Sequence, residues 1–360
     1  VTNDFQDLSF NIALDGNEQN RFTIFGIGGL SSEHYNPVDN PLERDPTRAA
    51  HYEDRIRDGN MGAIGGTYTR LIDKTSYLKA GVALMGSEID FYYDVLDSLN
   101  NRTNYHDEVH KETRISSSIT YSKRVNDLTR IKIGGFMHNI LNYQFYKQTI
   151  ARQNISDVIT ENTDLAVNGE GSTSTFQLYA QASRDISDKL VVNGGLHLMY
   201  FPLNGTSSLE PRLSFKFQAN SRNSFSVAYG LHSKLLPMAT YFYTQLDTVT
   251  NLTSLPNMDL PMVKSHHLIA SYNYSTPKGL RFTAEAYYQY LFNVPVSLET
   301  ENLYWMLNNR PSFPELAVEA KGTGTNYGID LAVEKFFSNK TYFLFTGSLF
   351  ESKYTPIDGI

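Results

Sequence analysis

The feature that most constrains this chain is a recurring hairpin with two-residue alternation. The clearest copy runs from Arg212 to Lys234. Leu213, Phe215, Phe217 and Ala219 alternate with Arg212, Ser214, Lys216 and Gln218. After the turn Asn220-Ser221-Arg222-Asn223, Phe225, Val227, Tyr229 and Leu231 alternate with Ser224, Ser226, Ala228, Gly230 and His232. Such a strand has one apolar and one polar face. In a soluble sandwich the apolar face needs a second sheet. Here the pattern recurs down 360 residues with no helical period to cover it, which predicts a transmembrane β-barrel with lipid outside and a wet lumen inside.

Fourteen strands are predicted, joined by tight polar turns centred near residues 17, 74, 126, 187, 221, 278 and 339. Successive centres lie 52 to 61 residues apart, except for one spacing of 34 where the intervening connection, Pro202 to Ser208, is short. Loops are expected at 32–58, 94–110, 151–172, 236–262 and 294–322, on the side opposite the tight turns. The fold class expected is therefore an all-β, antiparallel, up-and-down barrel wall. Composition agrees: 24 Tyr and 21 Phe suit strands and interfacial girdles. No apolar run reaches the roughly 18 residues that a spanning helix needs. The absence of cysteine fits an exported protein, and a net charge of -7 argues against a nucleic-acid partner.

Alternation also assigns faces. A cation on the lipid face at mid-membrane costs about 2–4 kcal/mol. Arg212, Lys216, Gln218, Arg281, Glu285, Asp330 and Glu334 should therefore face the lumen. Phe215, Phe217, Phe225, Val227, Leu280, Phe282, Ala284, Ile329 and Leu331 should face lipid. Tyr342 to Tyr354 alternates poorly, and its faces stay open.

Glu210-Pro211-Arg212-Leu213-Ser214-Phe215, the polar turn, Ser224 to Gly230 and then Leu235-Leu236-Pro237-Met238 resemble the barrel of TonB-dependent outer-membrane transporters. The strand texture, down to Ser348 to Tyr354, is similar to Bacteroidota members. The resemblance implies a 22-stranded barrel of which residues 1–360 supply about fourteen strands. It also implies a plug domain and a TonB-coupling segment, neither of which is found in this sequence. The start at Val1 and the finish beyond Tyr354 read as cuts from something larger. Outer-membrane lipid, the plug, TonB through a missing N-terminal region and a surface lipoprotein are the partners implied. No cofactor is.

The candidate contact residues are Tyr241, Tyr243, Tyr304 and Trp305 in the long loops, with Arg212 and Lys216 deeper in the lumen. Loops of defined aromatic and Pro content are usually functional, although packing of loop on loop explains the same aromatics. His266 and His267 point to opposite faces and cannot chelate together. The acidic loop at 33–58 is interspersed with Arg44, Arg48, Arg55 and Arg57 and lacks Ca²⁺-loop spacing, so no metal site is assigned. Glu285, Asp330 and Glu334 carry no catalytic signature, and no enzyme activity is expected. The function expected is active import of a nutrient such as a glycan, peptide, siderophore or cobalamin-like ligand. A passive fourteen-stranded channel of the fatty-acid type and a surface receptor or adhesin without transport are the alternatives.

Overall fold

The computed structural model describes residues 1–150, 164–247, 250–297, 316–338 and 340–355. Tight turns form where a side-chain amide or carboxylate can imitate the backbone. Asn17 Oδ1 accepts from the Gln19 and Asn20 N–H groups at 2.9 and 2.8 Å. Asn220 Oδ1 accepts from Arg222 and Asn223 at 2.9 and 3.0 Å, and Asp73 accepts from the Thr75 N–H at 2.7 Å. Each such turn returns the chain beside itself.

The result is one 14-stranded antiparallel sheet in which every strand lies next to its sequence neighbours. Its first half comprises β1 Thr2–Asn17, β2 Asn20–Tyr35, β3 Glu53–Asp73, β4 Ser76–Leu96, β5 Arg102–Asn126, β6 Thr129–Ile150 and β7 Asp164–Ser187. The second half is β8 Leu190–Phe201, β9 Thr206–Gln218, β10 Asn223–Lys234, β13 Val263–Ser275, β14 Leu280–Ser297, β15 Val318–Ser338 and β16 Thr341–Thr355. Helix α1, Met238–Tyr241, and a small ribbon of β11 Gln245–Asp247 and β12 Leu252–Ser254 sit in the connection between β10 and β13. Among the described residues the sheet does not close: β1 and β16 are its two edges.

Register carries the faces around the wall. Val192, Phe215, Val227, Ala270, Ala286, Ile329 and Leu349 form one row across seven strands, all apolar. A row three residues away, on the opposite face, is Lys132, Gln181, Gly195, Arg212, Gly230, His267, Gln289 and Asn326. A cavity lined by Gln181, Arg212 and His267 identifies this polar face as the lumenal one. The expected outward and inward residues fall on the expected sides. Register also settles β16: Phe345 and Leu349 follow Val333 and Ile329 outward, whereas Leu344 and Phe350 lie on the inner face.

Aromatic pairs lie near both ends of the apolar outer face. Near the tight turns Phe225 stacks on Tyr272, Tyr274 on Phe282 and Phe22 on Tyr68. Towards the loops Tyr229 and Phe292 stack on His266, and Tyr229 Oη and His266 Nδ1 lie 2.9 Å apart. From Phe282 to Tyr290 is eight residues, about 27 Å of strand at roughly 3.4 Å per residue. Tilted by about 35–45°, this stretch rises roughly 19–22 Å, somewhat less than the apolar band of about 25 Å in an outer-membrane barrel.

Several expected loops are shorter than their sequence suggests. Residues 94–110 were expected as loop, but β4 continues to Leu96, β5 begins at Arg102, and only a five-residue turn separates them. Likewise β2 reaches Tyr35, β3 begins at Glu53, β7 at Asp164 and β15 at Val318. Above the membrane both faces of a strand meet water. The ladder continues there without apolar alternation to announce it.

Candidate ligand chamber in the lumen

The polar face lines a partly open cavity of about 1450 Å³. Among its lining residues is Glu210, which β9 presents inward and which is 1% exposed. Arg212 Nη2 donates to Glu210 Oε2 at 2.9 Å, and His197 Nδ1 lies 3.1 Å from the same oxygen. The Ser233 N–H donates to Oε1 at 3.2 Å, and the Ser233 hydroxyl also bonds to it. A buried carboxylate needs such partners to stay charged. His197 Nε2 continues the network to Gln177 Oε1 at 3.1 Å. One strand further, the rings of His232 and His267 lie 4.7 Å apart, tilted by 56°. The chamber thus offers guanidinium, imidazole and amide groups held in place by one another. Among the described residues no group of His, Asp and Glu has the arrangement to hold a metal ion.

Sequence reasoning singled out Arg212 but not Glu210, His197 or His232. Glu210 and Arg212 are two apart in one strand and so share a face. His197 lies directly opposite Glu210. Strand parity together with the β8–β9 register is the signal that finds them. Lys216 is exposed on the same inner face, two steps nearer the tight turn.

The connection between β10 and β13 folds inward and roofs one side of the chamber. Leu235, Leu236, Pro237 and Met238 form its ceiling. Tyr241, one of the expected contact residues, is 0% exposed. It packs with Met199, Phe201, Leu236, Leu260, Met262 and Val318. Its hydroxyl accepts from the Leu236 N–H at 3.3 Å. Burial pushes the phenol up to about 12, with the Leu236 bond opposing weakly. Tyr243 is buried in a second cluster with Ile140, Tyr143, Phe145, Ala239 and Phe242. Both tyrosines are therefore built into the roof rather than presented on its surface. Tyr304 and Trp305 lie outside the described residues.

The roof is pinned on both flanks. Thr244 Oγ1 donates to the Asn168 carbonyl at 2.8 Å. Phe242 lies against Gly169 and Gly171, where an added Cβ would sit 2.0 Å from the Phe242 carbonyl oxygen and 2.2 Å from its ring. Only glycine admits so close an approach. On the other flank Asn257, wholly buried, accepts from the Val318 N–H at 3.0 Å and donates to the Leu316 carbonyl at 2.9 Å. Asn204 Nδ2 donates to the Met258 and Leu260 carbonyls at 3.0 and 2.8 Å.

The opposite rim, over β2 to β5, is held by charge. Arg57 lies over the rings of Tyr35 and Tyr93 at 5.3 and 5.7 Å and donates from Nε to Tyr93 Oη at 2.9 Å. Its Nη1 is 3.5 Å from Glu33. Arg55 pairs with Glu53, and Asp54 meets both His34 and Arg102 at 2.5 Å. Buried Arg44 donates to the Val38 and Asp97 carbonyls at 2.8 Å each and to Asn100.

No protein-family model and no curated protein matches the sequence. The fold does match solved structures. Against the RagAB peptide transporter the TM-score is 0.64 at 10% identity, covering 99% of this chain and 48% of that one. Against the ferric yersiniabactin uptake receptor FyuA from Yersinia pestis it is 0.66 at 8% identity, covering 98% and 52%. The ferric-catecholate import receptor Fiu from E. coli K12 gives 0.64 at 12% identity, covering 98% and 58%. The chain spans about half the length of these proteins. At such identities the likeness is one of fold: the barrel wall of TonB-dependent outer-membrane receptors.

Proposed function

We propose that residues 1–360 are part of a single transmembrane barrel in an outer-membrane, TonB-dependent importer. A plug domain, and the segment that engages TonB, would belong to the same full-length protein outside this chain. The observation that carries the reading is a lipid-facing sheet whose polar inner face is roofed from the loop side by a fixed, inward-folded connection. The open edges support it against a closed fourteen-stranded passive channel. In lipid each unpaired backbone group costs several kcal/mol, so β1 and β16 call for further strands. The roof and the extended rim favour binding followed by gated passage over adhesion alone.

The ligand class stays among glycan, peptide, siderophore and cobalamin-like nutrients. A surface lipoprotein is a further partner to be sought. Arg212 and Lys216 are proposed as lumenal contacts, and Tyr304 and Trp305 as loop contacts. Tyr241 and Tyr243 would act by shaping the roof that a ligand meets. The test is growth on the imported nutrient by cells carrying Arg212→Gln with Lys216→Gln, or Tyr304→Ala with Trp305→Ala. Heat-modifiability on gels monitors the barrel. Uptake should fall with the barrel intact in both. Normal uptake in either pair removes that pair from the path, and uptake that persists without TonB overturns active import.

A further inference from the structure

We infer that the outer face carries a binding site for the phosphate of an anionic lipid, built on Lys264 and His266 at the loop end of β13. The inference rests on which residues face outward and does not depend on import. Register fixes the place. The outward row through Tyr229 continues to Leu268 and Tyr288, and the next row towards the loops joins Leu231, His266 and Tyr290. One row further lie Ser233, Lys264 and Phe292. Tyr229, Leu268, Tyr288 and Tyr290 are all exposed on this face. They form the last apolar rows, and Lys264 stands just beyond them.

The His266 ring is held in place. Tyr229 and Phe292 stack on it with centroids 6.0 and 5.4 Å away and planes 23° and 21° from its own. Tyr229 Oη lies 2.9 Å from Nδ1. A phenol that donates to Nδ1 leaves the proton of the neutral ring on Nε2, which is then a donor. Among the described residues neither Nε2 nor the Lys264 ammonium has a hydrogen-bond or ion-pair partner. The two residues share a face and stand about 7 Å apart along the strand. The long lysine stem spans that gap, so ammonium and imidazole can meet on one phosphate.

Charge selects the occupant. Among the described residues of β8, β9, β10, β13 and β14 the outer face carries no carboxylate, and Lys264 is its one ammonium or guanidinium. Other outward lysines towards the loops are already spent: Lys111 on Glu88 at 2.6 Å and Lys353 on Glu351 at 2.7 Å. Lys264 therefore has no acid on its own part of the wall to meet. It stands where an aromatic, lipid-facing surface gives way to water, the level at which headgroups lie. A lipid that lays its acyl chains on Leu268 and Tyr288 brings its phosphate to Lys264 and His266. A free phosphate ion gains only the two donors, whereas a lipid gains the apolar wall below them as well.

Native mass spectrometry of the full-length protein in neutral detergent tests this, with dioleoylphosphatidylglycerol and dioleoylphosphatidylcholine offered in equal amounts. The first lipid retained should be phosphatidylglycerol. Lys264→Gln with His266→Gln should lower that adduct about tenfold, as expected for losing a hydrogen bond to a charged group, and leave phosphatidylcholine unchanged. Lys264→Gln alone should lower it severalfold, and it decides the matter if the double variant fails to form a heat-modifiable barrel. Lys111→Gln, which removes a lysine already paired on another part of the outer face, should have no effect. Equal retention of the two lipids, an equal loss in Lys111→Gln, or an undiminished adduct in the Lys264 variants overturns the inference. Displacement of the lipid by millimolar inorganic phosphate overturns it too, because the site would then read a free anion rather than a lipid.

Discussion

The two sides of the loop end are built from different forces. Over β6–β10 and β15 the roof is an apolar core in miniature, with Phe201, Tyr241 and Met262 all at most 1% exposed. Over β2–β5 the rim is an array of guanidinium, carboxylate and phenol groups, most of them partly wet. Apolar burial is additive over area and indifferent to salt. Exposed ion pairs contribute little and are screened. The difference teaches that one wall of the mouth is permanent and the other adjustable. On the proposed reading, a ligand arriving from outside would meet a fixed ceiling and a rim able to exchange its own charge contacts for new ones.

The largest effect should come from breaking the permanent side. Tyr241→Ala removes a fully buried ring packed 5.0 Å from Phe201. Truncating a buried aromatic costs about 3–5 kcal/mol. Hydrogen exchange across 235–243 should accelerate steeply while the strand ladder stays protected. Tyr241→Phe keeps the packing and loses only the bond from Leu236, at about 1 kcal/mol. Equal exchange in the two variants would show that packing is not what holds the roof.

A smaller effect separates the sides by salt. At about 1 M salt the screening length falls to roughly 3 Å, so the Arg57–Glu33 contact should weaken while the roof is unmoved. Exchange at 53–58 should rise with salt, and Arg57→Ala should reproduce the high-salt value at low salt, within about 1 kcal/mol. A roof that loosens in parallel would mean that the two sides are mechanically one unit.

The sequence disclosed the wall more fully than the chamber, for physical reasons. Lipid imposes a period of two, so Phe215, Val227, Ala286 and Ile329 announce their face, and Arg212 and Glu285 are sent to the other by exclusion. That pressure stops at the membrane surface. The stretch His106-Asp107-Glu108-Val109-His110-Lys111 has no apolar rhythm, yet it lies within β5 because its ladder with β4 is intact. In the loops an aromatic ring serves equally well as core or as platform. Tyr241 and Tyr243 proved to be core. For Tyr241 the density of Leu235, Leu236, Leu260 and Met262 around it was the available clue. Glu210 stayed hidden because its importance lies in partners from β8 and β10, which only register assembles.

The smallest expected effect is also the most local, and it turns on Asp97. This residue closes the turn between β4 and β5, where its carboxylate accepts from the Leu99 and Asn101 N–H groups at 2.7 and 2.9 Å and from Asn101 Nδ2 at 2.7 Å. The Asn101 amide foremost, then its backbone N–H, holds the carboxyl below its ordinary value. A carboxylate depressed in the folded state adds stability above its unfolded pKa, and that stability is lost as pH falls through the lower folded value. Acid should therefore loosen this turn and release the carbonyl to which Arg44 donates at 2.8 Å. The roof segment 235–243 contains no acidic residue and should not respond. The measurement is exchange of peptides covering 97–101 and 235–243 from neutral pH down to about 3, corrected for intrinsic rates, with Asp97→Asn as control. The rim peptide should lose protection only in acid, and the variant should be flat. If both peptides open together, or if Asp97→Asn keeps the acid response, the adjustable rim does not owe its pH dependence to this carboxylate.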